Sequence, residues 1–386
     1  MVKIPIYYHY LYDYGNILQT LPLSRHTMDQ AYIPPTLPLS QDVESKAVLK
    51  QIIKANRALA ELKGAARSIP NQSILINALS LQEAKDSSEI ENVVTTHDEL
   101  YRASVSSENV SNEAKEVQRY REALYLGFEY VQKNELLLKR HIVEIQKRLE
   151  DNDAGIRTQS GTVLKDSQGN TVYMPPQDHQ VIQDLMDNLE RYINDAELDD
   201  FDPLVKMAII HYQFESIHPF YDGNGRTGRI INILYLILNG LLDVPVLYLS
   251  SYIIKFKSEY YTLLNKVRTE EAWEEWIIYM LKGVEQTSLQ SVSLIEEIMK
   301  LMQETKSVMK ENFPKFYSKD LLEILFKHPY TKIAFLIDEL GVTRKTATNY
   351  LKELEAFGLL ESIKVGREIY FVNTKLFTLL QVNMSR

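Results

Sequence analysis

Apolar residues recur at helical spacing along most of the 386-residue chain. Between Lys46 and Lys63, Ala55, Ala58, Leu59 and Leu62 keep one face, and a second helical run extends from Ser73 to about Ala84, with Ile69-Pro70-Asn71 between them. Val117, Tyr120, Leu124, Phe128 and Val131 repeat three or four residues apart, Leu136 to Leu149 continues as another helix, and Val181 to Ile193 is again amphipathic. Leu204 to Ile217 leads into a turn, because Pro219 disfavours helical geometry at His218. Ile230 to Leu238 is apolar nearly all round, as expected of a helix buried on most faces, and Asn239-Gly240 ends it. A long helical stretch is expected from Tyr252 to about Met309. The period changes to β-type only at Thr162–Lys165 and Thr171–Met174, which flank Asp166-Ser167-Gln168-Gly169-Asn170 and read as a hairpin closed by Pro175-Pro176. A lone hairpin is marginally stable, so it is expected as a surface flap.

Pro314 ends the long helical pattern, and a smaller module follows. Leu321 to Leu325 and Ile333 to Leu340 give two helices, Gly341-Val342-Thr343 a tight turn, and Arg344 to Phe357 a third helix capped by Thr343. Leu360–Lys364 and Glu368–Val372 then flank Val365-Gly366-Arg367 as a hairpin. Three helices and a hairpin wing resemble a winged helix-turn-helix domain. That resemblance places Arg344, Lys345, Thr346 and Asn349 toward a DNA groove and Lys364 and Arg367 near phosphates, with protein docking or dimerisation as the other use of such a module. From Lys315 onward eleven Lys and Arg face eight Asp and Glu, a mild excess of +3 that leaves −12 on the rest of the chain. So few positive charges imply weak duplex binding or dependence on a dimer.

Composition narrows the rest. Hydrophobic content of 45% is enough for real cores, and a net charge of −9 argues against a general nucleic-acid or membrane-surface binder. With no cysteine, disulfides and thiolate metal sites are impossible, and no signal peptide or membrane-spanning apolar run is visible, so a cytoplasmic protein without a membrane partner is expected. The Tyr- and Pro-rich run from Met1 to about Ser45 has no period and reads as an irregular arm laid over the globule.

The densest chemistry lies between the two apolar helices, in His218-Pro219-Phe220-Tyr221-Asp222-Gly223-Asn224-Gly225-Arg226-Thr227-Gly228-Arg229. A glycine-rich loop feeding a helix N-terminus offers unpaired N–H groups to an anion, and Arg226 and Arg229 add charges suited to phosphate oxygens. Asp222 is a hard oxygen ligand able to hold Mg²⁺ against a polyphosphate, and His218 titrates where a general base must. Three other motifs overlap the stretch. The dinucleotide fingerprint needs a βαβ context, the P-loop needs Lys and Ser/Thr where Arg229 and Ile230 stand, and a calcium loop would begin on Phe220 and end on Ile231. None of the three fits.

His218-x-Phe220-x-Asp222-Gly223-Asn224-Gly225-Arg226-x-x-Arg229 resembles the signature of the Fic family, whose best-known members transfer AMP from ATP to protein hydroxyls. The resemblance implies a mainly α chain: a Fic-type helical bundle with a β-hairpin flap, followed by a small α+β winged-helix domain. It implies that His218 deprotonates the target hydroxyl, Asp222 holds Mg²⁺, and Gly223, Asn224 and Gly225 cradle the α- and β-phosphates of ATP. Phe220 would anchor the loop, and Arg226 and Arg229 would grip the outer phosphates. Gly225 favours AMP transfer, since the branch of the family that phosphorylates has lysine there.

Ser87-x-x-x-Glu91-Asn92 resembles the inhibitory helix of family members that carry their own inhibitor. By that resemblance Glu91 pairs with Arg229 and takes the place of the γ-phosphate. On composition alone, Asp86–Val93 reads as a helix with a Ser cap and an acidic first turn. The flap would lie beside His218 and add the target segment as a strand. The expected organisation is an arm and inhibitory helices in residues 1–110, a catalytic core in 111–310 and a winged helix in 315–386. The expected partner is a target protein bearing a hydroxyl side chain, and a homodimer is a further expectation for regulation. Two other readings stay open: a DNA-binding regulator that senses nucleotide, and an enzyme that removes AMP. Tyr260, Tyr261, Trp273 and Trp276 read as core ahead of an adenine pocket, and His211 as a packed or surface histidine rather than a catalytic one.

Overall fold

The computed structural model describes residues 31–105, 110–165, 169–365 and 368–383. The expectation for Met1 to residue 30 of the arm, and that for Arg367, lie outside the described residues. Regular structure begins with α1 (Lys46–Ser68) and α2 (Gln72–Ile90), capped by Ser45 and Asn71, whose side chains accept from the N–H groups of Val48 and Ser73. α3 (His97–Val105) follows, then α4 (Asn112–Asn134) and α5 (Lys139–Glu150), which end on Glu135 and Asp151 in the left-handed region. The flap consists of β1 (Leu164–Lys165) and β2 (Thr171–Tyr173), paired antiparallel. Next come α6 (His179–Asn194), α7 (Pro203–Ile217) and α8 (Asn224–Leu238), then α9 (Ser250–Lys255), α10 (Lys257–Glu270) and α11 (Trp273–Asn312). The C-terminal module is α12 (Lys319–Lys327), β3 (Tyr330–Thr331), α13 (Ile333–Leu340), α14 (Arg344–Ala356), β4 (Glu361–Val365), β5 (Glu368–Val372) and α15 (Thr374–Asn383).

Two expectations change. The long stretch from Tyr252 to Met309 is three helices, broken at Phe256 and at Glu271, which takes a left-handed conformation with φ 54°. α11 packs on α7, and α10 packs on α11 and reaches α7 through the contact of Tyr260 with His211. Asp86–Val93 is not a separate helix with Ser87 at its start. Ser87 sits in the last turn of α2, Glu91 caps the C-terminal end, and Asn92 reverses the chain at φ 64°.

The core follows from α7 and α8, whose residues Leu204–Ile217 and Asn224–Leu236 are all buried. An antiparallel pair with no solvent face needs cover on every side. α4, α5 and α6 supply part of it, α2 closes over the start of α8, and α11 runs along both α7 and α1. Pro203 at the first turn and the Asp202 carboxylate, which accepts from Leu204 N–H at 2.8 Å, fix where α7 starts. The C-terminal module has a three-stranded antiparallel sheet in the order β3-β5-β4, with Tyr330 opposite Val372 and Ile363 opposite Tyr370. It docks on α2 and α11. Asn71 and Asn77 of the α2 segment donate to Glu323 (3.1 Å) and to the Lys327 carbonyl (3.3 Å) of α12.

Candidate active site

The turn between α7 and α8 is over-determined. His218 caps α7 with φ 50° and ψ 58°, a left-handed conformation that costs a non-glycine residue energy and persists only when its surroundings impose it. Phe220 is fully buried against Phe214, and the Asn224 side chain closes the loop on Phe220, accepting from its N–H at 2.8 Å and donating to its carbonyl at 2.9 Å. Asn224 thus shapes the loop through both ends of its amide. Gly223 has φ 78° and opens α8 with the first N–H groups of that helix.

Arg157 fastens the same turn from outside the motif. It is wholly buried, donates from Nε to the His218 carbonyl at 2.8 Å, and reaches the carbonyls of Pro176 and Ile217 through Nη2. Its main-chain N–H donates to Pro219 O at 2.9 Å, and Ile156 bridges Phe220. Burial lowers its pKa to about 10, so the guanidinium remains charged at neutral pH. Because Pro176 follows β2, one side chain holds both the flap's base and the carbonyl of the proposed base. Tyr173 of β2 donates to Ser216 O, tying the flap to the end of α7, and Tyr221 OH accepts from Thr158 and Gln159 N–H, tying the loop to the segment that precedes the flap. Just after β2, Met174 O accepts from Tyr32 N–H at 2.8 Å.

The two motif arginines are both buried and both held by carboxylates. Arg226 pairs with Glu150 at 2.8 Å and Glu116 at 3.6 Å. Arg229 donates to Ser87 Oγ at 2.7 Å, Ser87 O at 2.9 Å and Glu91 Oε1 at 2.8 Å. Burial works against the Arg229 charge, but Glu91 and its other neighbours outweigh it and hold the group well above the usual arginine range. The same Glu91 oxygen lies 2.3 Å from where a Cβ on Gly225 would stand, so the carboxylate rests on the glycine of the loop. Asn92 accepts from Lys257 at the outer edge. Two turns earlier on α2, Glu83 accepts from Ser250 N (3.0 Å), Ser250 Oγ (2.5 Å) and Tyr120 OH (3.1 Å), which anchors the helix that presents Ser87 and Glu91.

Two further acids face the loop, and neither is marked by the sequence pattern. Glu150 approaches Gly223, and burial raises it to about 7 despite Arg226. Glu215 lies 2.7 Å from where a Cβ of Gly228 would be, and burial raises it to about 7 against the pull of Arg229. Its folded pKa exceeds the unfolded 4.5, so its stabilising contribution is complete below 4.5 and is lost as pH rises toward 7. The difference in unfolding free energy between wild type and Glu215→Gln is therefore expected to change by about 3 kcal/mol between pH 4.5 and 7.5, wild type losing ground as pH rises. Urea titrations at several pH values check this, and parallel stability curves would refute it.

Asp222 is half-buried at the loop's mouth, accepts from Gly223 N–H through Oδ1, and has its carbonyl held by Gln146. Among the described residues no three His, Asp or Glu side chains gather to hold a metal. A single carboxylate beside an anion loop suits Mg²⁺ shared with the phosphates of a nucleotide, the way that ion is usually bound. Tyr260, Tyr261, Trp273 and Trp276 are buried, with the Trp276 indole donating to Ala208 O at 2.9 Å. His211 is fully buried between Tyr260 (2.8 Å) and Asn232 (3.1 Å), and burial lowers it to about 3, so it is a neutral packing residue. In the C-terminal module Arg344, Lys345, Asn349 and Lys364 are exposed, and Thr346 bonds its cap Thr343.

The fold and loop define a helical protein in which a glycine-rich turn opens a buried helix carrying two arginines. Comparison with known families assigns residues 49–129 to the Fic/DOC family N-terminal domain, 136–236 to the Fic/DOC family, and 301–376 to the C-terminal domain of SoFic-like protein adenylyltransferases. The chain belongs to the Fic/DOC family. It is 32% identical over 142 residues to protein adenylyltransferase fic-1 of Caenorhabditis briggsae, a match covering 34% of this chain and 25% of that protein. It is 33% identical over 110 residues to protein adenylyltransferase Fic of Aedes aegypti, covering 28% and 21%. The chain thus spans a quarter or less of the length of these curated relatives. A Fic family protein from Desulfovibrio desulfuricans shares the fold over 88% of this chain and 98% of its own, with TM-score 0.55 and 17% identity. Residues 134–508 of Fic-1 from Caenorhabditis elegans do so over 65% and 74%, with TM-score 0.51 and 19% identity. No helix among the described residues is long and apolar enough to cross a membrane.

Proposed function

We propose that this chain transfers AMP from Mg-ATP to a hydroxyl side chain of a target protein and that Glu91 restrains the transfer. The observation that carries the proposal is the position of one carboxylate oxygen, 2.8 Å from Arg229 and in contact with Gly225, where a nucleotide's outer phosphate would otherwise meet both. The names of the relatives support the transfer chemistry. His218 takes the proton of the target hydroxyl, the oxygen attacks the α-phosphorus, the α–β bridging P–O bond breaks and pyrophosphate leaves. The loop N–H groups around Gly223 and Gly225 face the phosphates, Asn224 keeps the loop in shape, and Arg226 and Arg229 neutralise the departing charge. A magnesium ion on Asp222 would add positive charge at the same phosphates. The flap edge presents the target segment as an added strand. In this reading residues 1–110 supply the restraint, 111–310 the chemistry and 315–386 a docking module.

Mass spectrometry of wild type, Glu91→Gly and Glu91→Gly/His218→Ala, each incubated with Mg²⁺, ATP and a cell lysate, tests the proposal. AMP adducts are expected mainly with Glu91→Gly, and to fall at least about a hundredfold in the double variant, the usual weight of a general base. Binding of ATP without adducts in any variant would overturn transfer and favour a nucleotide sensor.

A second reading concerns α14, whose Arg344, Lys345 and Asn349 face solvent. If they meet a duplex, Arg344→Ala/Lys345→Ala should weaken binding about tenfold at low salt and flatten its salt dependence by about two charges. Unchanged binding in a gel-shift series would reject DNA for this helix and leave protein docking.

A further inference from the structure

A cavity of about 300 Å³ lies away from the loop, between α2 and the C-terminal module. Its floor is Ala78 and Leu81 of α2, and its walls include Phe326, Tyr330 and Phe335 of the module and Tyr101 of α3. Tyr101 and Tyr330 stack at 5.9 Å with their planes within 3° of parallel. Aromatic and aliphatic walls around a volume at the small end of the range for ligand sites suit a flat ligand of one or two rings.

The cavity is also lined by three basic side chains, and one of them differs from the others. Lys327 and His328 are both taken by Glu339, at 3.1 and 3.3 Å. Burial, together with Lys327, lowers the pKa of His328, so its ring is neutral at physiological pH. Arg121 of α4 also lines the cavity and makes no ion pair or hydrogen bond among the described residues, its guanidinium lying only over the Tyr125 ring at 5.9 Å. A guanidinium beside an apolar cavity is a fork of donors that matches one carboxylate in two-point fashion. A phosphate would want more positive charge: among the lining residues, Lys327 is already paired with Glu339 and His328 is neutral.

We propose that this cavity binds a small planar aromatic carboxylate, its ring between the tyrosine and phenylalanine walls and its acid group on Arg121, and that the bound acid ties the C-terminal module to α2. The residues contacted on α2 lie on the helix that ends at Glu91. Because the proposal concerns binding alone, it stands or falls without nucleotide.

The test uses the full chain and a panel of probes from benzoate to indole-3-acetate, each with its neutral amide, read by ligand-observed NMR and calorimetry. At least one acid is expected to bind wild type saturably and at least tenfold more tightly than its amide, with Arg121→Gln removing that preference and leaving amide binding unchanged. Hydrogen exchange of amides in Ile74–Leu81 and Phe326–Tyr330 is expected to slow together when that acid is bound. Absence of Arg121-dependent binding across the panel, or binding that leaves α2 exchange unchanged, overturns the proposal. Circular dichroism and Tm of Arg121→Gln separate loss of the site from loss of the fold.

Discussion

Glu91→Gly is expected to raise the initial rate of AMP incorporation by about tenfold to a hundredfold. The Glu91–Arg229 contact is a buried, charge-assisted hydrogen bond at 2.8 Å. Such contacts contribute about 1.5–3 kcal/mol. If that energy holds the carboxylate on the loop, its loss enlarges the fraction of molecules that can seat ATP productively by the corresponding factor. The cost falls on the fold. Removing one partner of a buried pair can cost about 3–5 kcal/mol, but Arg229 keeps two bonds to Ser87 and has Glu215 nearby, so the loss should be smaller. A Tm reduced in the variant and restored by ATP more than in wild type is therefore the paired expectation. Glu91→Gln, which keeps the shape and loses the charge, should fall between the two. Equal rates in wild type and Glu91→Gly at every ATP concentration, below saturation as well as above it, would remove Glu91 from regulation.

What the sequence made legible, and what it hid, divides by distance along the chain. The motif residues lie within twelve consecutive positions spanning the loop and the first turns of α8, and the Pro219 constraint placed the turn at His218, where the chain does turn. The hairpin, the buried α8 and the three helices with their wing follow from local period and turn chemistry, and all are present. The carboxylates and guanidinium that shape the site were hidden, because each meets its partner far along the chain. Glu150 meets Arg226, Glu83 meets Ser250, and Arg157 meets His218, separated by 76, 167 and 61 residues. A lone charged residue in an irregular stretch such as Gly155–Gly161 looks solvated. Nothing in its neighbours shows that it is buried. α3 and α15 are hard to read from sequence because each is short, 9 and 10 residues, and offers few turns over which a period can show. The two breaks between Tyr252 and Met309 were missed because Phe256 and Glu271 carry no turn chemistry of their own.

Arg157 carries the second large expectation, since it is the group that makes the left-handed His218 tolerable. Arg157→Met keeps most of the bulk and removes every guanidinium donor, stranding the carbonyls of His218, Pro176 and Ile217 in a buried turn. Unsatisfied buried groups cost about 1–3 kcal/mol each, so a loss of about 3–5 kcal/mol is expected once relaxation is allowed for. The strain at φ 50° is then no longer imposed. In a Glu91→Gly background the turnover of AMP transfer should fall about a hundredfold or more, the scale of a displacement near 1 Å at a reacting group, while ATP still binds through the loop and Arg229. Arg157→Lys should recover little, because an ammonium offers no planar fork to carbonyls lying in different directions. A folded Arg157→Met protein whose turnover stays within threefold would show that Pro219, Phe220 and Asn224 hold His218 by themselves. If instead ATP affinity falls and turnover is kept, Arg157 serves the phosphate loop rather than the base.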